Sequence, residues 1–298
     1  MRSDIEIIEN NPLLYEEKNF DQRMEAIDFI EFPIIDHIEG LLAKADQSQH
    51  LLLLKQHAEK VKAELEGINT NLFKKLQVEI QTGSYIGEKF KKLVSEYVDF
   101  NLDDSAHQEE PGYDNLDVFI NGLLSPLEII PRQTKDLEPE MVFYQKTPAR
   151  IIFELVEKCN FTKVDVFYDL GSGLGQVAML VNLMTGVKTK GIEFEPAFCD
   201  YSRECATKLN LSNITFINAD ARQADYLDGT VFFMYTPFHG GILKEVLEIL
   251  RKESLQREIK IITYGPCTPE VASQSWLGST VPKGDNIYKL SVFTSLQN

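Results

Sequence analysis

The residues of this sequence best suited to chemistry gather around one glycine cluster. In Asp169-Leu-Gly-Ser-Gly-Leu-Gly175, Gly171, Gly173 and Gly175 stand at every second position behind an aspartate. Glycine lacks a Cβ, so its backbone takes left-handed conformations and comes close to a ligand. The first turn of a helix presents unpaired backbone N–H groups, so a glycine turn that opens a helix is a ready wall for a binding site. Two further acids suit a ligand, Glu193 and Asp220, with Glu195 a competitor for the role of Glu193. An ionised carboxylate only accepts hydrogen bonds, and so it can take the protons of hydroxyl or amino groups. Tyr235 and His239 lie in Met234-Tyr-Thr-Pro-Phe-His-Gly-Gly241. The Tyr235 hydroxyl can orient a reacting group, and the His239 imidazole can act as a base. Plainer readings stand beside these: Asp220 as a helix N-cap, and His239 as a surface histidine.

The elements that must position these residues alternate. Val164 to Tyr168 is apolar, β-branched and aromatic, as in a buried strand, and Gln176 to Met184 carries no helix breaker. The glycines therefore sit on a strand-to-helix turn. A helix is expected from Pro148 to Cys159, with proline near its first turn, where a missing amide matters least. Then follow a strand to Glu193, a helix from Pro196 to Leu209 and a strand over Ile214 to Asn218. A strand at Thr230 to Tyr235, a helix from Gly241 to Lys252 and a strand at Ile259 to Tyr264 complete the alternation. Such alternation predicts a parallel sheet covered on both faces, with ligands beyond the carboxyl ends of its strands. The tail differs: Trp276 to Val281 and Asn286 to Phe293 flank Pro282-Lys-Gly-Asp285, which reads as a hairpin.

The G-x-G-x-G spacing departs from the G-x-G-x-x-G of dinucleotide folds. With its leading aspartate it resembles motif I of the class I S-adenosylmethionine (SAM) methyltransferases, which also end in an antiparallel pair. The resemblance implies an α/β fold: a Rossmann-like, mostly parallel seven-stranded sheet with an antiparallel C-terminal hairpin. It implies SAM as cofactor, with Gly171, Gly173 and Gly175 in the glycine loop and Asp169 supporting that loop or the methionine portion. Glu193 would take the ribose hydroxyls. Asp220 would bond the adenine amino group, and the Ala221 amide a ring nitrogen. Upstream, Tyr144-Gln-Lys-Thr147, then a helix, then Asp-Leu-Gly-Ser-Gly-x-Gly-Gln resembles the non-SET histone-lysine methyltransferases over about residues 141–200. Tyr144 and Thr147 would then bond the cofactor's carboxylate, with a helix N-cap as the plain alternative for Thr147. The segment after the fourth strand is where this family places its acceptor motif. Pro237 and Phe238 fit, whereas Tyr235 and Thr236 lack the amide or carboxylate of amino-methylating members. Two alternatives remain open here: a non-catalytic binding module on the same fold, and a nicotinamide-dependent oxidoreductase.

The 298-residue chain has length for two domains, expected at residues 1–117 and 118–298. The front one is expected to be helical. Leu54, Ala58, Val61, Leu65, Ile68, Leu72 and Leu76 recur at helical steps up to Gly83, as do Ile86, Phe90, Leu93, Val94 and Tyr97. Met24, Ile27, Ile30, Ile34, Ile38 and Leu41 make one or two helices, broken or kinked at Pro33. Asn101 to Asp117 is acidic and turn-rich and reads as the boundary loop; Val118 to Leu124 is too short to assign. The net charge of −16 is lopsided, with 29 acidic against 14 basic residues over positions 1–140 and 17 against 16 afterwards. An acidic half repels nucleic acid and attracts basic partners, or simply keeps a helical surface solvated. The expected partner is thus a methyl acceptor, cationic in one reading, with neither nucleic acid nor a membrane involved. No run of about 18 apolar residues spans a bilayer, and the charged N-terminus is unlike a signal peptide. Cys159, Cys199, Cys205 and Cys267 show no C-x-x-C pair, so neither zinc nor disulfides are expected, and a cytoplasmic setting is.

Overall fold

The computed structural model describes residues 1–44, 48–102, 112–127, 129–279 and 286–296. The chain divides into two compact units, residues 1–78 with 92–100, and residues 79–91 with 101–298.

The first unit is helical. It holds α1 (Arg2–Glu9), a 3-10 turn (Pro12–Tyr15), α2 (Phe20–Phe29), α3 (His37–Leu42) and most of α4 (Gln49–Gln81). Pro33 produces a wider, π-helical stretch at Ile30–Asp36 between α2 and α3, because its ring cannot sit in a regular helix and it has no N–H to donate. The expected stripe on α4 is buried at Leu54, Ala58, Val61, Leu65, Leu72 and Leu76. One position breaks it. Ile68 is only half-buried and Asn69 turns inward, because the core contains the fully buried Arg23. The Asn69 Oδ1 accepts from Arg23 Nε at 2.7 Å; the Leu14, Glu16 and Glu17 carbonyls accept three further guanidinium N–H bonds.

The second unit begins earlier than residue 118. The Gly87 N–H donates to the Leu183 carbonyl at 2.8 Å, and Gln81 exchanges hydrogen bonds with the C-terminal end of α9 (Pro196–Lys208), through Lys208 and Asn210. α5 spans Glu88–Ser95. Most of the expected boundary loop, 103–111, lies outside the described residues. Its end is a start signal for α6 (Asn115–Leu124): Asp114 and Asp117 form a reciprocal capping box, which gives the short 118–124 segment its helix.

The sheet contains β1 (Val166–Leu170), β2 (Lys188–Glu193), β3 (Ile214–Asn218), β4 (Val231–Met234), β5 (Lys260–Thr263), β6 (Leu277–Ser279) and β7 (Ser291–Ser295). Among the described residues its order is β3-β2-β1-β4-β5-β7-β6, parallel through β5 and antiparallel at β7 and β6. This is the Rossmann-like seven-stranded α/β fold that the sequence implied. The tip of the C-terminal hairpin, Pro282 to Asp285, lies outside the described residues. α7 (Ala149–Cys159) precedes β1; α8 (Gln176–Thr185), α9 and α10 (Gly240–Ser254) connect successive strands, and a short α11 (Thr268–Ala272) follows β5. Strand side chains alternate between faces: Tyr168, Leu170, Phe232, Met234 and Ile261 share one apolar cluster with Ile242, Val246, Leu247 and Leu250 of α10. The strand order reverses at β1, flanked by β2 and β4, so the crevice at their carboxyl ends is the expected ligand position.

Candidate functional site

A cavity of about 510 Å³ opens at those carboxyl ends. Its wall contains Tyr144, Thr147, Asp169, Gly171, Ser172, Gln176, Glu193, Asp220, Ala221, Tyr235, Phe238 and His239, drawn from β1, β2, the ends of β3 and β4, and the connector before α7. Nine of the eleven candidate site residues line it; Gly173 and Gly175 do not.

The glycine loop has the backbone that the sequence required. Gly171, Gly173 and Gly175 have φ of +78°, +52° and +80°, values that disfavour a side chain. Each also faces a different neighbour. A Cβ at Gly171 would collide with Pro237 after β4, at Gly173 with the Tyr144 ring, and at Gly175 with Phe216 and Ser202. Gly175 thus lets α8 pack on β3 and α9, while Gly173 gives the Tyr144 ring its seat. The N–H groups of Gly171 and Ser172 both donate to the Ile192 carbonyl at 2.9 Å.

Glu193 and Glu195 separate clearly. The Glu193 side chain is buried and accepts one N–H at each oxygen, from Gly173 at 2.6 Å and Glu195 at 2.8 Å. Burial raises its pKa, against those backbone bonds. Each oxygen keeps capacity for another donor. Glu195 is instead filled: it accepts from the Thr134 N–H and hydroxyl, the Lys135 N–H and the Ala197 N–H. It caps α9 and fastens the connector, and those bonds outweigh desolvation to hold its carboxyl at about 2.

Asp169 is buried with its Oδ2 unpaired. Burial first, and Glu193 second, push its carboxyl up to about 8. Ser172 Oγ and both polar atoms of the Gln176 amide are likewise buried without partners, and all three residues line the cavity. Buried polar groups are normally hydrogen-bonded, so a wall with several unpaired ones is matched to a polar ligand. Sequence reasoning passed over Ser172 and Gln176; their place inside the glycine motif was the signal available.

Thr147 does not cap α7. The Ala149 N–H goes to Asp117 Oδ1 at 2.7 Å, and Thr147 stays buried in the cavity wall. Tyr144 is partly exposed, and its ring lies tilted against Phe198, with centroids 5.6 Å apart. Asp220 receives Arg222 through both oxygens.

After β4 the chain turns sharply. Thr236 has φ +42°, left-handed for a β-branched residue. Its hydroxyl donates to the Tyr264 carbonyl and accepts from the Cys267 N–H. Such strain is typical of functional turns. It brings Tyr235 beside Tyr264, ring centroids 5.0 Å apart, with Tyr288 beyond. His239 is exposed at the cavity rim, and its N–H donates to the Glu140 carbonyl. Glu140, also missed in the sequence, accepts from the Ile242 N–H and so closes the start of α10; Val142 bonds the Pro237 carbonyl. The connector thereby reaches across from α10 to Tyr144 over the glycine loop.

Residues 139–264 match the model of a family described as histone methylation protein DOT1. Solved structures are similar to this chain at low identity. An RNA methyltransferase from Salinibacter ruber, in complex with S-adenosyl-L-homocysteine, is 20% identical with a TM-score of 0.42, covering 51% of this chain and 92% of that one. A SAM-dependent methyltransferase from Aquifex aeolicus is 17% identical with a TM-score of 0.40, covering 50% and 93%. A precorrin-6y C5,15-methyltransferase from Geobacter metallireducens is 16% identical with a TM-score of 0.39, covering 51% and 90%. No curated protein matches the chain.

Proposed function

We propose that this chain is a SAM-dependent methyltransferase whose acceptor is an amino group, carried by a basic protein or a small molecule. The observation that carries the proposal is the cavity wall: buried unpaired groups of Asp169, Ser172 and Gln176 beside a left-handed glycine loop, with Glu193 and Asp220 at the ends of the next two strands. These donors and acceptors fit the amino acid, ribose and adenine parts of SAM. When bound, SAM supplies an activated methyl on a sulfonium, transferred to a lone pair of the acceptor as the carbon–sulfur bond breaks.

The chain's own residues then have distinct tasks. The Asp169 carboxyl faces a cationic ligand and gives up its proton when that ligand enters. Glu193 accepts hydroxyl protons with the capacity that Gly173 and Glu195 leave unused. Tyr144 and Phe238 exclude water from the reacting centre. Tyr235 orients the acceptor, and the exposed imidazole of His239 takes the proton that an ammonium acceptor must lose. Alignment supplies most of the rate, since the electrophile arrives activated.

The acidic residues of positions 1–140 favour a cationic acceptor by steering at a distance. Incubation with labelled SAM and a panel of basic proteins, free amines, neutral metabolites, DNA and RNA tests this. Label should enter a basic protein or an amine, more slowly as salt shortens the Debye length to about 8 Å at physiological strength. Robust labelling of nucleic acid refutes the acceptor class. SAM binding without turnover on any acceptor supports instead a non-catalytic module, the reading favoured by Tyr235 and Thr236 where amino-methylating relatives carry an amide or carboxylate.

A further inference from the structure

We propose that Arg222, which lies outside the cavity lining, is a positioning residue that makes the site selective for an amino-substituted purine, by holding the Asp220 carboxylate with one acceptor position open. The inference rests on the cofactor reading above and concerns how its adenine end is recognised.

A carboxylate offers about four acceptor positions. Asp220 Oδ1 takes the Arg222 backbone N–H at 2.8 Å and Nε at 3.0 Å. Oδ2 takes the terminal NH2 nitrogen at 2.6 Å, and shares Nε at 3.2 Å. Three donors from one residue thus occupy the carboxylate and fix its plane, leaving room for one more. The Asp220 side chain is 11% exposed and belongs to the cavity wall, whereas Arg222 does not. The open position suits one N–H of an exocyclic amino group.

The guanidinium also fixes which proton form is presented. Its hydrogen bonds hold the Asp220 carboxyl below the usual carboxylate range. An ionised carboxylate can only accept. It attracts an amino group and repels the carbonyl that replaces it in a deaminated purine, a rejection that a protonated or rotating acid would lose.

The same NH2 nitrogen donates to Glu138 Oε1 at 2.7 Å. Glu138 begins the connector whose Met141 pairs with Phe238 and whose Val142 bonds Pro237. Arg222 therefore ties the adenine end of the cavity to the strap over its other end. Glu138 is 46% exposed, so this second bond is screened by solvent and is the weaker of the two.

The test uses two ligands differing at one group, S-adenosyl-L-homocysteine and its deaminated counterpart S-inosyl-L-homocysteine. Both are titrated calorimetrically into the full-length chain and into Arg222→Ala and Arg222→Lys. Wild type should prefer the amino ligand by at least about tenfold, the scale of one charge-assisted hydrogen bond. Arg222→Ala should lose about tenfold for the amino ligand yet stay within roughly twofold for the deaminated one. Arg222→Lys, which keeps the charge without the fork, should recover part of the preference. In turnover, KM for SAM should rise while kcat holds. If Arg222→Ala does not fold, Arg222→Gln takes its place. Equal weakening of both ligands, or no weakening of either, overturns the inference and leaves Arg222 a structural residue. A folded wild type that binds neither ligand overturns the cofactor reading itself, a different and separately visible result.

Discussion

Replacing Asp169 by asparagine should stabilise the folded protein while weakening its ligand. The carboxyl is buried beside Glu193 and is pushed up from 3.8 to about 8. A folded-state pKa above the unfolded one means that the native state holds the proton more tightly. The stability from this group is complete below pH 3.8, falls as pH rises, and is lost once pH passes about 8. At about 1.4 kcal/mol per pH unit, the loss by pH 7 relative to an unperturbed carboxyl is on the order of 4 kcal/mol. Asparagine has nearly the same shape and does not titrate. Denaturant unfolding of wild type and Asp169→Asn from pH 4 to 9 should give curves that nearly meet at the acid end. They should separate by about 1.4 kcal/mol per pH unit and run parallel above pH 8. Calorimetry should show the opposite sign for function, because asparagine cannot offer a negative charge to a sulfonium or ammonium. Curves that stay parallel throughout, or a variant less stable than wild type at pH 7, would refute the account of Asp169 as a buried acid kept for a ligand. The pattern, stability sacrificed for binding, is the common one at active sites.

Three other outcomes follow from particular contacts. Arg23→Met removes the donors to Asn69 and to three backbone carbonyls, so stability of the first unit should fall by about 3 kcal/mol or more; a loss under about 1 kcal/mol means that those acceptors find other donors. Glu193→Ala should weaken SAM binding by about 1–3 kcal/mol, whereas Glu195→Ala should act chiefly by loosening Thr134 and Lys135. The reverse ranking in calorimetry would show that the ribose acceptor has been assigned to the wrong strand position. Gly171→Ala should lower the melting temperature and disturb the loop after β4, since its Cβ meets Pro237 at a φ of +78°; an unchanged melting temperature would show that Pro237 yields freely.

By itself the sequence determined the strand–helix alternation, because apolar periodicity is a local property written residue by residue. It also determined the glycine turn, because left-handed backbone positions at Gly171, Gly173 and Gly175 select a residue without a side chain. What it left undecided depends on neighbours distant in the chain. Glu193 and Glu195 are two residues apart and chemically alike. Only the fold shows that Thr134 and Lys135, some sixty residues earlier, fill one of them and leave capacity on the other. For Thr147 the sequence left a cofactor contact and a helix cap both open, and only the fold shows that the Ala149 N–H goes to Asp117 instead. The inward turn of Asn69 needs Arg23 on another helix, and the charge state of Asp169 needs the burial that the whole sheet creates. Patterning selects which residues face inward. Hydrogen-bond saturation and desolvation belong to the assembled structure, because each is set by groups that the chain brings together only when it folds.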